Sequence, residues 1–161
     1  MAVIPNRSTP AVGVVGAWAN MEEYNARSMF AESEFAGGVP VMQGTAGDGV
    51  LPLATGNRFI GISINNADMR GTPTSDGAAT YAIGDILGVA DMGTVFVLAG
   101  EDVTAGAVPY YDTATRKFHG TSDTGRLPLP TCEFDESAAD GSPVALRIRL
   151  EPGAANVTAA S

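Results

Sequence analysis

A chain of 161 residues is one domain's worth, long enough to bury about two-thirds of its unfolded surface in a single core. Its 20 Gly and 10 Pro, set against 17% charged residues, disfavour a long helical bundle, because interior Gly costs about 1 kcal/mol and Pro about 3 kcal/mol relative to Ala. Nine Lys and Arg against 18 Asp and Glu leave a formal charge of −9, which makes nucleic acid a poor partner, and no run nears the roughly 20 apolar residues of a membrane-spanning helix.

The chain begins MAVIPNRSTPAVGVVGAWAN. Arg7 precedes an apolar stretch and Ala17-Trp18-Ala19 has the small-x-small form of a cleavage site. Pro5 and Pro10 break that segment, and Ala11 to Ala17 is glycine-rich without Leu or Phe, so an extended arm is the better reading. Asn20 to Ser33 is the one helix candidate. Asn20 is placed to cap it, Glu23 follows three residues on, and Met21, Tyr24, Ser28 and Ala31 form a narrow stripe.

Strand signals then recur, punctuated by turns. Ile60, Ile62 and Ile64 alternate with Gly61 and Ser63, which predicts one apolar face. Gly71 to Ala79 reads as an exposed loop. Ile83 to Val89 and Thr94 to Leu98 are two further strands, the second a continuous run rich in β-branched residues and suited to burial on both sides. Val108 to Tyr111 is shorter. At the C-terminus Val144, Leu146, Ile148 and Leu150 alternate with Ala145, Arg147, Arg149 and Glu151, an apolar face against a polar one. Asp48-Gly49, Asp76-Gly77, Thr124-Gly125 and Asp140-Gly141 mark turns. A weak echo, A-G-x-V-P, occurs at Ala36 to Pro40 and again at Ala105 to Pro109, and fits either two similar turn-to-strand approaches or a duplicated hairpin. The expected division is an N-terminal arm with a possible short helix over 1–34, a β domain over 35–151 and a flexible tail over 152–161. The fold class is all-β, a small β-barrel or jelly-roll-like sandwich of short antiparallel strands.

Catalytic sets are poorly represented. Asp123-Thr124-Gly125 is the tripeptide of aspartic proteases, but the preceding Phe118 to Ser122 is not the apolar strand that buries such a carboxylate, and turn chemistry explains it better. Cys132 and His119 are the only residues of their types, so a zinc site lacks its usual ligands and an internal disulfide is impossible. As a thiol nucleophile Cys132 is poorly placed, since the adjacent Glu133 opposes the thiolate; a small buried hydrophobe is the expected role. The acidic clusters Glu22-Glu23, Glu32/Glu34, Glu101-Asp102 and Glu133/Asp135/Glu136 lack the ligand ladder of an EF-hand and read as solvated faces. No cofactor and no metal are expected.

The most informative stretch is Ile83 to Phe118. Gly84-Asp85-Ile86-Leu87-Gly88-Val89, Gly93 to Gly100 (GTVFVLAG), Val103-Thr104-Ala105-Gly106-Ala107-Val108-Pro109-Tyr110-Tyr111-Asp112 and Lys117-Phe118 together resemble the bacteriophage head decoration, or capsid cement, proteins. Leu127-Pro128-Leu129-Pro130 and Gly141 to Leu150 look like that family's closing strands, so the resemblance runs from about Phe35 to Leu150. It implies a structural virion protein without enzymatic activity, held on the capsid exterior after a period in the host cytoplasm, where it cements neighbouring major capsid subunits. It also implies a homo-oligomer, commonly a trimer. A charge of −9 suits a protein that must stay soluble before assembly, and few lysines lower the entropy cost of ordering its surface.

The expected capsid contacts are Ile4, Arg7, Val12, Val14 and Trp18 in the arm, because Trp and Arg are frequent interface anchors, although Trp18 also suits a core. Arg147 and Arg149, on the polar face of the last strand, suit either acidic groups of a neighbour or carboxylates of this chain. The competing function is a β-sandwich module recognising carbohydrate or a receptor, with Tyr81, Tyr110 and Tyr111 as stacking platforms.

Overall fold

A computed structural model of the chain describes residues 13–20, 22–65, 78–153 and 155–160, and among these there is no helix. The strands in chain order are β1 (Asn25–Ala31), β2 (Phe35–Ala36), β3 (Pro40–Gln43), β4 (Gly49–Pro52), β5 (Asn57–Ile64), β6 (Thr80–Tyr81) and β7 (Ile86–Leu98). They continue with β8 (Tyr110–Asp112), β9 (Lys117–His119), β10 (Arg126–Pro128), β11 (Cys132–Phe134), β12 (Pro143–Arg149) and β13 (Asn156–Val157).

Five of them close a barrel. β7 pairs with β1, β1 with β4, β4 with β3, β3 with β5, and β5 returns to β7. Closure decides for a barrel over a jelly roll, and the parallel β1–β4 pair makes it mixed where antiparallel strands were expected. Every one of the five strands sends a residue into its interior, which holds Met29, Ala31, Val41, Val50, Ile60, Leu87 and Val89. A second core lies outside the barrel wall. There Phe59 and Ile62 of β5 and Val95 and Val97 of β7 pack with Val144, Leu146 and Ile148 of β12, and with Tyr111, Phe118 and Leu127 of the small sheet β10–β8–β9.

Two bulges let single strands serve both cores. Along β5 the pairing passes from Val41↔Gly61 to Met42↔Phe59, so an extra residue enters and the faces exchange. Ile60 therefore points into the barrel while Ile62 points out, and the single apolar face expected for Ile60, Ile62 and Ile64 is corrected. Gly61, at φ +151, makes this possible. Along β7 the pairing skips from Met92 to Ala90 opposite Asn25 and Ala26. Leu87 and Val89 then face the barrel, and Val95 and Val97 face the second core. Ile83 to Val89 and Thr94 to Leu98, read as separate strands, thus lie on either side of a bulge, with one 13-residue strand joining them.

The helix expected over Asn20 to Ser33 is also corrected. Residues 25–31 form β1, whose register against β7 and β4 buries Met29 and Ala31 at a spacing of two. Pairing to both neighbours supplies what a narrow apolar stripe could not, so tertiary context overrides local propensity. At the other end, the stretch expected to carry no core signal contributes β13: Asn156 and Val157 pair with Arg58 and Asn57, and Val157 is buried. The A-G-x-V-P echo is not a structural repeat. Positive φ falls on Gly38 in one copy and on Gly106, a step earlier in the pattern, in the other, and Val39 is buried where Val108 is exposed.

Candidate docking surface

Residues 13–20 run along the edge of β7 that β12 leaves free. The Gly16 amide donates to the Phe96 carbonyl at 2.8 Å, the Phe96 amide to Ala17 at 2.9 Å, and the Ala19 amide to Thr94 at 2.8 Å. Trp18 is thereby opposite Val95, and its ring meets Tyr24 with centroids 5.0 Å apart. Asn65 clamps the start of the segment. Its amide donates to Gly16 O and its side-chain Nδ2 to Val15 O, while its Oδ1 accepts from Ala79 N. The sequence marked Asn65 only as the end of a strand.

Of the expected contact residues, Trp18 is partly buried against the second core, whereas Val14 is 43% exposed. Ile4, Arg7 and Val12 lie outside the described residues. Arg147 faces Asp135 at 2.9 Å, with Glu22 and Glu133 at 3.8 and 3.9 Å, and Arg149 faces Glu23 at 3.3 Å. Both arginines thus pair with carboxylates of their own chain, in part across the β11–β12 register Glu133↔Arg147.

Residues with catalytic potential are scattered. Asp123 sits exposed in a turn, its carboxylate accepting from the Thr124 amide at 2.7 Å. Cys132 is buried in the second core, and that burial pushes its thiol well above the usual range, as expected of a small hydrophobe. Tyr81 and Tyr111 are buried as well, which removes two of the three platforms that carbohydrate stacking needs. Among the described residues no three His, Cys, Asp or Glu side chains gather as a cation site.

The acidic residues instead organise loops. Glu32 accepts from the Thr45 hydroxyl and from the amides of Ala46 and Thr45, and these bonds hold its carboxyl below the usual range. Glu101 does the same for the turn after β9. Its Oε1 accepts from Gly120 N, Thr121 N and the Thr121 hydroxyl at 2.9, 2.9 and 2.7 Å, while Arg126 Nη1 and His119 Nδ1 stand 3.3 and 3.4 Å from Oε2. Burial raises its pKa, but the Thr121 hydroxyl, His119, the Thr121 amide and the Arg126 charge outweigh that and bring it to about 2. Neither role had a signal in the sequence, because the partners come from loops 13 and about 20 residues away.

The arrangement is therefore a rigid β framework with polar groups committed to its turns. Residues 4–149 match the family model described as "Structural cement protein (E217 gp24/Pam3 gp6)". The chain belongs to this family. It is a phage capsid cement protein, a structural component of the virion and not an enzyme. Among solved structures the cement protein resembles a chain of "The capsid of Myoviridae Phage XM1" at a TM-score of 0.64 and 16% identity, covering 92% of this chain and 98% of that one, a likeness of fold. The head fiber gp8.5 N base of bacteriophage phi29 gives a TM-score of 0.45 and 17% identity, over 80% of this chain and 99% of that one. No curated relative matches the sequence.

Proposed function

We propose that this cement protein binds the outer surface of an assembled head as a homotrimer and bridges neighbouring major capsid subunits, with its N-terminal arm as one point of attachment. The observation that carries this reading is the seating of residues 16–19 on β7, which fixes the root of the arm and leaves Val14 exposed beside it. Ile4, Arg7 and Val12 are the proposed contacts beyond that root, and Trp18 holds the root through Tyr24 and the second core. Arg147 and Arg149 join the interface by exchanging partners. Exposed ion pairs contribute only about 0–1 kcal/mol, so a capsid carboxylate can replace Glu22 or Glu23 at little cost. The trimer rests on the sequence resemblance.

Mixing the purified protein with expanded, undecorated heads tests the proposal. Saturable binding and raised resistance of the heads to heat are expected; absence of both would sink it. Removing residues 1–12 leaves the hydrogen bonds of Gly16, Ala17 and Ala19 to β7 in place and is expected to weaken head binding at least tenfold. Unchanged affinity would exclude the arm. Sedimentation should give three times the chain mass of 16.4 kDa, and a monomer mass would overturn the trimer.

A further inference from the structure

At the start of β7 the barrel displays apolar side chains to solvent. Ile83 is 75% exposed and Ile86 is 68% exposed. Phe30, half-buried, is the direct cross-strand partner of Ile86 in the β1–β7 register, so the two share one face of the sheet. Ile83 is presented on a turn that is fixed from three sides: Ala82 N donates to Asp85 Oδ2 at 2.9 Å, Gly84 N to Ala31 O at 2.7 Å, and Ala31 N to Asp85 O at 2.9 Å. Gly84, at φ +89, supplies the left-handed residue the turn requires. Single exposed apolar residues are ordinary, but two strongly exposed isoleucines three residues apart, one on a fixed turn and one paired with the half-buried Phe30, mark an interaction surface.

We propose that Phe30, Ile83 and Ile86 form a second docking point that seats on an apolar, basic-rimmed site of a major capsid subunit, an inference that rests on the cement reading above.

Charge selects this occupant. Among the described residues, the loops beside the patch carry Glu32, Glu34, Asp48 and Asp85, and Arg27, further along β1, faces Asp91 at 3.7 Å. Phe30 N donates to Asp48 O, which places the Asp48 loop directly beside the patch. A second copy of this chain docking face to face would set carboxylates against carboxylates, and a head-to-tail contact within a trimer would bring up a chain of net charge −9, so a partner with a cationic rim fits better than self-contact. The arm root is bonded at Thr94 and Phe96, and the patch begins at Ile86 of the same strand, so β7 carries both contacts, and their joint avidity exceeds that of either alone.

The test compares wild type with Ile83→Asp/Ile86→Asp and with the milder Ile83→Ser/Ile86→Thr, which keeps a β-branched residue in the strand, for binding to undecorated heads. Thermal unfolding of each variant checks the fold. The expected result is a loss of affinity of fivefold or more in whichever variants unfold at the wild-type temperature, and a smaller change in them overturns the second docking point while leaving the cement reading intact. Asp48→Lys is expected to weaken binding and to flatten its dependence on salt; binding as tight and as salt-sensitive as wild type would overturn the basic-rimmed partner. Failure of the wild-type protein itself to bind would overturn both.

Discussion

Trp18 lies directly over Gly93. A Cβ at that glycine would stand 2.6 Å from the indole Cζ3, closer than any real contact, and the residue's φ of +124 disfavours a side chain independently. The bare backbone of β7 is thus the floor on which the arm root rests. Trp18 is the only tryptophan, which makes it a reporter of its own seating. Gly93→Val is expected to lift the indole into water, shift its emission to longer wavelength, and cost about 1–3 kcal/mol in a urea titration. Unshifted emission in a folded variant would mean that the glycine does not seat the ring.

The Glu101 network makes a pH prediction. Its carboxyl titrates at about 2 in the folded protein against an ordinary 4.5, so the folded state favours the ionised form. The stabilisation from this lowered pKa is therefore fully present above about pH 4.5 and is lost as pH falls towards 2. Glu101→Gln is expected to be less stable than wild type at pH 7, with a smaller further loss between pH 4.5 and 2.5, because that group no longer titrates. Denaturant midpoints across this range check it, and parallel curves for the two proteins would remove Glu101 from the acid response.

Much of this architecture can be read from the residues, and the failures share a physical cause. β12 is legible because Val144, Leu146 and Ile148 alternate against Arg147 and Arg149, and one face is solvated. The family resemblance is legible in the turn-to-strand pattern of β7 and β8, and the match to the family model over 4–149 bears it out. β1 misleads because NARSMFA is a good local helix, and what makes it a strand is the register of β7 and β4, from distant parts of the chain. Ile60 and Ile62 mislead because period-two reasoning assumes an unbroken pleat. Likewise Asn65 and Glu101 act through backbone groups, which leave no pattern of side-chain types.

The Gly61 bulge can be tested directly. An added Cβ would meet the Ala90 carbonyl oxygen at 2.4 Å, a backbone atom fixed by the β5–β7 pairing, and a φ of +151 is essentially confined to glycine. Gly61→Ala is expected to cost about 2–4 kcal/mol, because relief would need the strand to slip and turn Ile60 or Ile62 to the wrong core. Urea unfolding measures it. A cost under about 0.5 kcal/mol, the ordinary scatter of a surface change, would show that the bulge is not what holds the two cores in register.

Cys132 gives the most direct test of the second core. The residue pairs with Ile148 at the β11–β12 edge and is 8% exposed, in the same cluster as Leu146, Phe134 and Tyr111. Burial pushes the thiol up, so the reactive thiolate is scarce at neutral pH, and the sulfur is shielded from reagent as well. Reaction with an aromatic disulfide at pH 8 is expected to be at least a hundredfold slower in the folded protein than in urea, and to accelerate with denaturant along the unfolding curve. Cys132→Ser, which buries a hydroxyl in an apolar site, is expected to cost about 1–3 kcal/mol, whereas Cys132→Ala costs less. Rapid labelling of the native protein would mean that β11 opens without global unfolding, and the edge of the second core would then be a locally unstable element and not part of the rigid framework.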